Sequence, residues 1–385
     1  MSLPSKTFSA VPLSNAVDAA IDSAIASKRL VGAVVLIAQD GKFIHRRAAG
    51  LADRENQVAM KEDAIFRLAS ITKPFTAIAA MRVVEQGRIG LDDPITKWLP
   101  DFRPKLPDGS DAVILVRHLL SHTAGLSYGF HETDGPYAAA GVSDGLAEPG
   151  LSLAENLRRI ATVPLSFAPG SAWQYSLAMD VLGGVIESET GSPLGDVIKN
   201  LITYPLGLHE TAFSVRDRSR LAAAYQTAEP EPLLMPETAS VPALTGSVSF
   251  APSRIFDPNS YQSGGAGMAG TADDVLVVLE AIRKGGAPLL SEDSVNVMTV
   301  DQAGGTHQAF LPGVGFGFGW SVIVDPEAAL VPFSKGTFKW GGAYGHSWFV
   351  DPVQKLTVVA LTNTALEGMW GQFTIDLRDA VYSAL

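Results

Sequence analysis

The stretch that most limits what this chain can fold into is 70–86, where Ile71, Phe75, Ile78, Ala79, Met81, Val83 and Val84 leave almost no polar face before Gly87. A helix that is apolar all round has no side to offer to water, so it must run through a core. Wrapping it takes a sizeable domain, and 385 residues provide one, with two lobes around a cleft as the default arrangement. The same helix carries Lys73, and an ammonium inside a core element is costly unless it is paired or put to use. Ser70 stands three residues earlier, hence on the same helix face if the helix begins there. A hydroxyl beside an amine in a dry site is a nucleophile beside a base. Ser-x-x-Lys alone is a weak signal, since about one is expected by chance in a chain this long. Its place at the mouth of a buried helix adds the information.

The rest of the chain reads as an α+β fold. Val17, Ile21, Ala24 and Ile25 recur at helical spacing behind Ser14, a possible cap. Segments 32–39 and 43–50 form a hairpin around Asp40-Gly41. Between residues 90 and 210 short helices are expected at 116–120, 151–161, 177–189 and 193–206, with a long Gly- and aromatic-rich loop over 127–149. Thr271 is placed to cap a helix over 272–283. Strands follow at 317–324, 337–342, 346–351 and 356–362, and a helix at 373–384 closes the chain. The expected architecture is therefore an antiparallel sheet flanked by helices, built from 1–75 and 211–385, plus a mostly helical lobe from 76–210.

Several function classes are excluded. A net charge of −11 argues against nucleic acid and anionic membranes as partners. Without cysteine there are no disulfides, thiolate metal sites or Cys nucleophiles. Residues 1–12 lack the apolar core of a signal peptide, and no apolar run approaches the ~18 residues that span a bilayer, so a soluble cytoplasmic protein is expected. The glycines at 313, 315, 317 and 319 alternate as in a closely packed strand and do not make a phosphate loop. Only His118 and His122 share a helix turn, and a structural role is expected for them; no metal or cofactor is implied.

Two strings compete with Ser70: Gly125-Leu126-Ser127-Tyr128-Gly129 and Gly141-Val142-Ser143-Asp144-Gly145. A GxSxG serine is a nucleophile only on a strained turn from strand to helix. The first string follows a helix and the second lies in a loop, so both are expected to be decoys. Two other strings matter more: Trp173-Gln174-Tyr175-Ser176-Leu177, and Trp340-Gly341-Gly342-Ala343-Tyr344-Gly345-His346. Paired glycines in a strand expose backbone that offers an N–H to an oxyanion.

Ser70-Ile71-Thr72-Lys73, Tyr175-Ser176-Leu177 and Trp340-Gly341-Gly342 together resemble, in order, the three motifs of the serine β-lactamase and penicillin-binding-protein superfamily. His118-Leu119-Leu120-Ser121-His122-Thr123-Ala124-Gly125-Leu126 resembles its class C-like branch. Leu177 stands where β-lactamases have Asn, and Trp340 where they have the Lys of Lys-Thr-Gly. That pattern is similar to the bacterial family VIII carboxylesterases. The resemblance implies a β-lactamase/transpeptidase-like fold with the site between the lobes. It implies attack by Ser70, with Lys73 and Tyr175 sharing the base role. The oxyanion hole would be the backbone N–H groups of Ser70 and Ala343, with Gly341 and Gly342 admitting the substrate closely. Asp180, five residues after Tyr175, would orient groups near the site, and Tyr128 and Trp348 would add apolar lining. An indole at Trp340 in place of an ammonium favours neutral short-chain esters over anionic β-lactams. A class C-like β-lactamase, a D-Ala-D-Ala peptidase, an acyltransferase and a non-enzymatic penicillin sensor are the alternatives.

Overall fold

The computed structural model describes residues 12–132, 134–243, 246–306 and 311–385, so most of the N-terminal reading, residues 1–11, lies outside the described residues. The strands are β1 Gly32–Gln39, β2 Lys42–Asp53, β3 Val58–Ala59, β4 Phe66–Arg67, β5 Tyr225–Gln226, β6 Leu233–Leu234, β7 Ala239–Ala243, β8 Gly246–Phe250, β9 Ala269–Gly270, β10 Val314–Phe316, β11 Ser321–Ile323, β12 Phe338–Gly342, β13 His346–Asp351 and β14 Leu356–Thr362. One antiparallel sheet runs in the order β10-β11-β12-β13-β14-β1-β2-β3. Three small ladders, β4 with β9, β5 with β6 and β7 with β8, lie outside it.

The sheet is covered on both faces, which explains why β1 and β14 are apolar at nearly every position. Alternate residues of a strand point to opposite sides. Ala33, Val35 and Ile37 of β1 pack with α1 (Leu13–Ala26) and the closing helix Gln372–Tyr382. Val34 and Leu36 join the main core, which contains α2 (Thr72–Glu85) and the helix Ala272–Arg283. That core continues through the middle helices, including Val116–Leu120 and Ala178–Thr190. Each large apolar side chain buried this way contributes about 1.5–3 kcal/mol. In α2 Thr72 through Met81 are all buried, as the absence of a polar face requires. The boundary expected between residues 75 and 76 falls inside this helix.

Four local expectations change. Leu13–Ala26 begins after Pro12, so Ser14 lies inside the first turn and does not cap it. The strand expected over 317–324 forms only over β11, Ser321–Ile323; residues 317–320 make the turn of a hairpin with β10, where Gly319, at φ +99°, adopts a conformation that L side chains rarely take. The helix expected over 193–206 is α-helical only over Leu194–Ile198 and then widens into a π-type turn, Lys199–Thr203. The helix of the Ser-Lys pair starts at Thr72, preceded by a tight turn at Ala69–Ile71. No helix among the described residues is long and apolar enough to cross a membrane.

Candidate active site

Ser70 is presented by a strand, a strained turn and a buried helix in succession. β4 pairs with β9, and Leu68 N–H donates to Met268 O at 2.8 Å. Ala69 then takes φ +47°, the left-handed region that costs a non-glycine residue energy and persists only where the surroundings hold it. Thr72, the first residue of α2, accepts Met268 N–H through its hydroxyl at 3.1 Å, fixing the helix to the same segment. The pair expected from sequence does meet: Lys73 Nζ donates to Ser70 Oγ at 3.1 Å although Ser70 precedes the α-helix. Tyr175 lies just before the helix Ala178–Thr190 and brings its hydroxyl to Ser70 Oγ at 2.7 Å. Lys73 Nζ also sits 4.6 Å from the centre of the Tyr175 ring.

Lys73 is 0 % exposed, so its charge needs partners inside the protein. Besides Ser70 Oγ, one of them is the backbone carbonyl of Gly265 at 2.8 Å, which was not among the residues expected at the site. Gly265 is held in turn by Asp180, whose Oδ1 accepts from Gly265 N–H at 3.0 Å and from Ser263 Oγ at 2.6 Å. Asp180 is itself 0 % exposed. It is therefore neither a wall of the cleft nor a solvated charge at a helix start; it positions the loop that positions Lys73. Burial pushes its carboxyl above the ordinary aspartate range, against the two hydrogen bonds that favour its charged form. The run Ser263-Gly264-Gly265-Ala266-Gly267 was the available signal: a Cβ on Gly264 would fall 2.4 Å from Met179 O.

The aromatic surroundings divide into an open layer and a buried one. Trp340 is partly exposed, with its ring 5.1 Å from Tyr175 and 5.2 Å from Phe316. Tyr128 stacks on Phe130 at 4.6 Å and approaches Tyr175 at 5.0 Å, but it is buried, and burial holds its hydroxyl well above the usual phenol value. Trp348 does not line the site. Opposite Trp340 in register, it is 1 % exposed and packs on Trp320 and Phe338 in the core. Phe130, Phe316 and His122 adjoin the site without having been anticipated in it. His122 lies 5.0 Å from the Tyr175 ring, and its Nδ1 meets Ser176 Oγ at 3.2 Å. His118 Nδ1 accepts Leu115 N–H at 3.2 Å, a structural contact at the start of its helix.

The glycine strand approaches the serine turn as close packing requires. A Cβ on Gly342 would lie 2.4 Å from Leu68 O, and one on Gly341 2.7 Å from Met369 Cγ. Among the described residues no acceptor is paired with the backbone N–H of Ser70 or of Ala343. His346 locks the same region from behind: its Nδ1 accepts Thr362 N–H at 3.2 Å, which leaves Nε2–H to donate to Arg67 O at 2.8 Å. Burial lowers its pKa to about 4, so the ring stays neutral near pH 7. The two other serines are occupied elsewhere. Ser127 Oγ accepts from Gln174 Nε2 at 2.6 Å, and Ser143 Oγ donates to Ala147 O at 3.3 Å. Among the described residues no group of three or more His, Asp or Glu is arranged to hold a metal ion.

Comparison with known proteins places this geometry. Residues 17–379 match the family model described as Beta-lactamase. Esterase EstB of Burkholderia gladioli is 50% identical over 98% of this chain and 97% of its own. The solved structure of EstCE1, titled a hydrolase with promiscuous acyltransferase activity, superposes with a TM-score of 0.93 at 44% identity, covering 96% of this chain and 98% of its own. ML-236A carboxylate methylbutanoyltransferase mlcH of Penicillium citrinum is 28% identical over 90% of this chain and 84% of its own. With the family model matching nearly end to end and the EstB likeness at half identity, this chain belongs to the β-lactamase family, in its family VIII, EstB-like esterase branch.

Proposed function

We infer that the protein is a serine carboxylesterase that hydrolyses small esters with short acyl chains through an acyl-enzyme on Ser70. The observation that carries this is the convergence of Lys73 Nζ and Tyr175 OH on one serine oxygen, at 3.1 and 2.7 Å. As Oγ attacks the ester carbonyl, its proton passes to the Tyr175–Lys73 pair. Gly265 O keeps the lysine aimed, and Tyr175 delivers a proton to the leaving alcohol. The same pair then draws a proton from the water that releases the acid. Such proton transfers contribute typically ~10²–10⁴ in rate. The N–H groups of Ser70 and Ala343 take the developing oxyanion, each donor being worth roughly 10²–10³.

Trp340 supports esters over β-lactams. A lysine there would offer a substrate carboxylate a charge-assisted bond worth ~1.5–3 kcal/mol. The indole gives an apolar wall instead, continued by Phe316. Gly341 and Gly342 let the ester lie against the strand. The preference for short acyl chains rests on the likeness to the esterase branch. Acyl transfer to an alcohol is a second reading, favoured by the likeness to EstCE1, a hydrolase with promiscuous acyltransferase activity; added methanol would then divert butyrate from acid to methyl ester.

The deciding experiment gives p-nitrophenyl butyrate and a chromogenic cephalosporin to the wild type and to Ser70→Ala. Ester turnover well above cephalosporin opening, lost in the variant, is expected. Efficient cephalosporin opening with negligible ester turnover would move the assignment to a β-lactamase, and ester turnover that survives Ser70→Ala would remove the serine. The cytoplasmic location belongs to the same reading, and fractionation of expressing cells tests it.

A further inference from the structure

Behind the nucleophile turn lies a second polar feature that the ester chemistry does not use. A small cavity of about 20 Å³ is lined by Arg67, Arg254 and Tyr344, with Leu146, Ala266 and Met268 among its apolar walls. No Asp or Glu lines it. Arg67 spends Nε on Pro252 O at 2.7 Å and Nη1 on Ala222 O at 3.0 Å. Arg254 is 7 % exposed; its Nη2 donates to Tyr261 O at 2.7 Å, and its buried Nε has no acceptor. The Tyr344 hydroxyl likewise has no protein partner among the described residues. Asp180 and Glu237 are acids whose fields reach these arginines, but among the described residues neither guanidinium has a carboxylate within ion-pair distance.

Arginine does not shed its proton inside a protein, so two guanidinium charges persist here, that of Arg254 buried and that of Arg67 partly exposed, with neutral oxygens and ring faces as their direct partners. The rings are those of Tyr261, 4.8 Å from the Arg254 guanidinium, and of Tyr344 and Phe256, each 5.9 Å from that of Arg67. Buried charge without a counter-charge is costly, and the usual remedy is an opposite charge. The space decides which kind fits. A hydrogen-bonded guest needs about 10–15 Å³ per atom of water size, so the enclosed part of this cavity, about 20 Å³, matches one such atom.

We propose that the cavity bounded by Arg67, Arg254 and Tyr344 binds a single halide ion, chloride in practice, as a structural counter-ion behind the active site. Its surroundings connect it to the chemistry. Arg67 is three residues before Ser70, Tyr344 follows Ala343, and Ala266 follows the glycine whose carbonyl holds Lys73. An ion there ties together the three segments that carry the nucleophile, an oxyanion donor and the lysine support.

The test is thermal unfolding of the whole chain in sodium chloride, sodium bromide and sodium gluconate at one fixed ionic strength, without phosphate. Chloride and bromide should raise the midpoint saturably over gluconate, which is too large to enter. Tyr344→Phe, which removes one donor and keeps the ring, should raise the half-saturating chloride concentration by about 10-fold. Arg254→Met should abolish the halide effect. Equal midpoints in the three salts would overturn the proposal, as would an unchanged halide response in Tyr344→Phe; the latter result is decisive even if Arg254→Met does not fold. A midpoint raised by acetate or sulfate as much as by chloride would show a general anion effect and equally overturn it. Ester turnover by Ser70 is measured separately, so failure here leaves the esterase reading standing.

Discussion

Ser70 and Ser143 make an instructive pair. Ser143 sits in a string, Gly141-Val142-Ser143-Asp144-Gly145, that matches a well-known nucleophile pattern letter for letter. Yet its N–H donates to Asn156 Oδ1 at 2.9 Å, its hydroxyl goes to a backbone carbonyl, and Asn156 closes the network on Ser143 O and Tyr261 OH. No base reaches it. Ser70 sits in a pattern that arises by chance, yet an amine and a phenol converge on its oxygen, and a left-handed residue holds it between strand and helix. A nucleophile is thus made by what is brought to its oxygen. The string around Ser143 does serve the site at one remove: Asp144 Oδ1 accepts Gly129 N–H at 2.9 Å and so holds the turn between Tyr128 and Phe130.

The sharpest way to break this contrast is a pair of alanines. Ser70→Ala should lower kcat for p-nitrophenyl butyrate by about 10⁴-fold or more. Ser143→Ala should keep kcat near the wild-type value and cost roughly 1 kcal/mol in urea unfolding, for one lost hydrogen bond; a large loss of kcat in Ser143→Ala would reverse the assignment. Tyr175→Phe comes next. It leaves the ring on Lys73 and Trp340 but removes the proton carrier, so kcat should fall by about 10²–10³, and near-normal turnover would remove Tyr175 from the mechanism.

A smaller effect is expected from Gly342→Ala. Its Cβ would press on Leu68 O from 2.4 Å and push the strand off the serine turn. Losing the alignment of one oxyanion donor predicts a fall of about 10²-fold in kcat with little change in KM; stopped-flow acylation rates check it. The smallest effect concerns Asp144, whose carboxyl burial lifts from 3.8 to about 7. Between those values the unfolded chain holds fewer protons than the folded one, so this group makes stability fall as pH rises from about 4 to 7. Asp144→Asn keeps an oxygen for Gly129 N–H and cannot ionise. Its urea midpoint should therefore gain on the wild type from pH 4.5 to 7.5, and parallel pH curves would show that Asp144 does not titrate there.

Much of the scaffold could be read in advance because local rules dictate it. Alternation and apolar runs located β1, β13 and β14 to the residue, and Thr271 caps its helix through Asp274 N–H as expected. The glycine-rich segment before β12 was harder. Gly315 and Gly317 do pack closely, on Asp301 and on Met298 O, but Gly313 and Gly319 have positive φ and turn the chain, so the expected strand over 317–324 shrank to Ser321–Ile323 and β10 formed ahead of it. Sequence spacing does not separate a glycine kept for closeness from one kept for a turn.

What the sequence by itself determined is the chemistry available: a buried helix with a lysine one turn from a serine, a tyrosine before a second buried helix, and two glycines where a strand must come close. These follow from periodicity and residue type, which act over a few positions. Only the tertiary structure decided which groups reach the serine and which hold them there. Gly265 lies 192 residues from Lys73, and Asp180 lies 85 from Gly265. Backbone carbonyls carry no signature in a sequence, and whether Asp180 faces solvent, substrate or a loop depends on what the rest of the chain packs against it. The same holds for Trp340 and Trp348, opposite one another in the sheet: packing leaves one indole at the cleft and seals the other in the core.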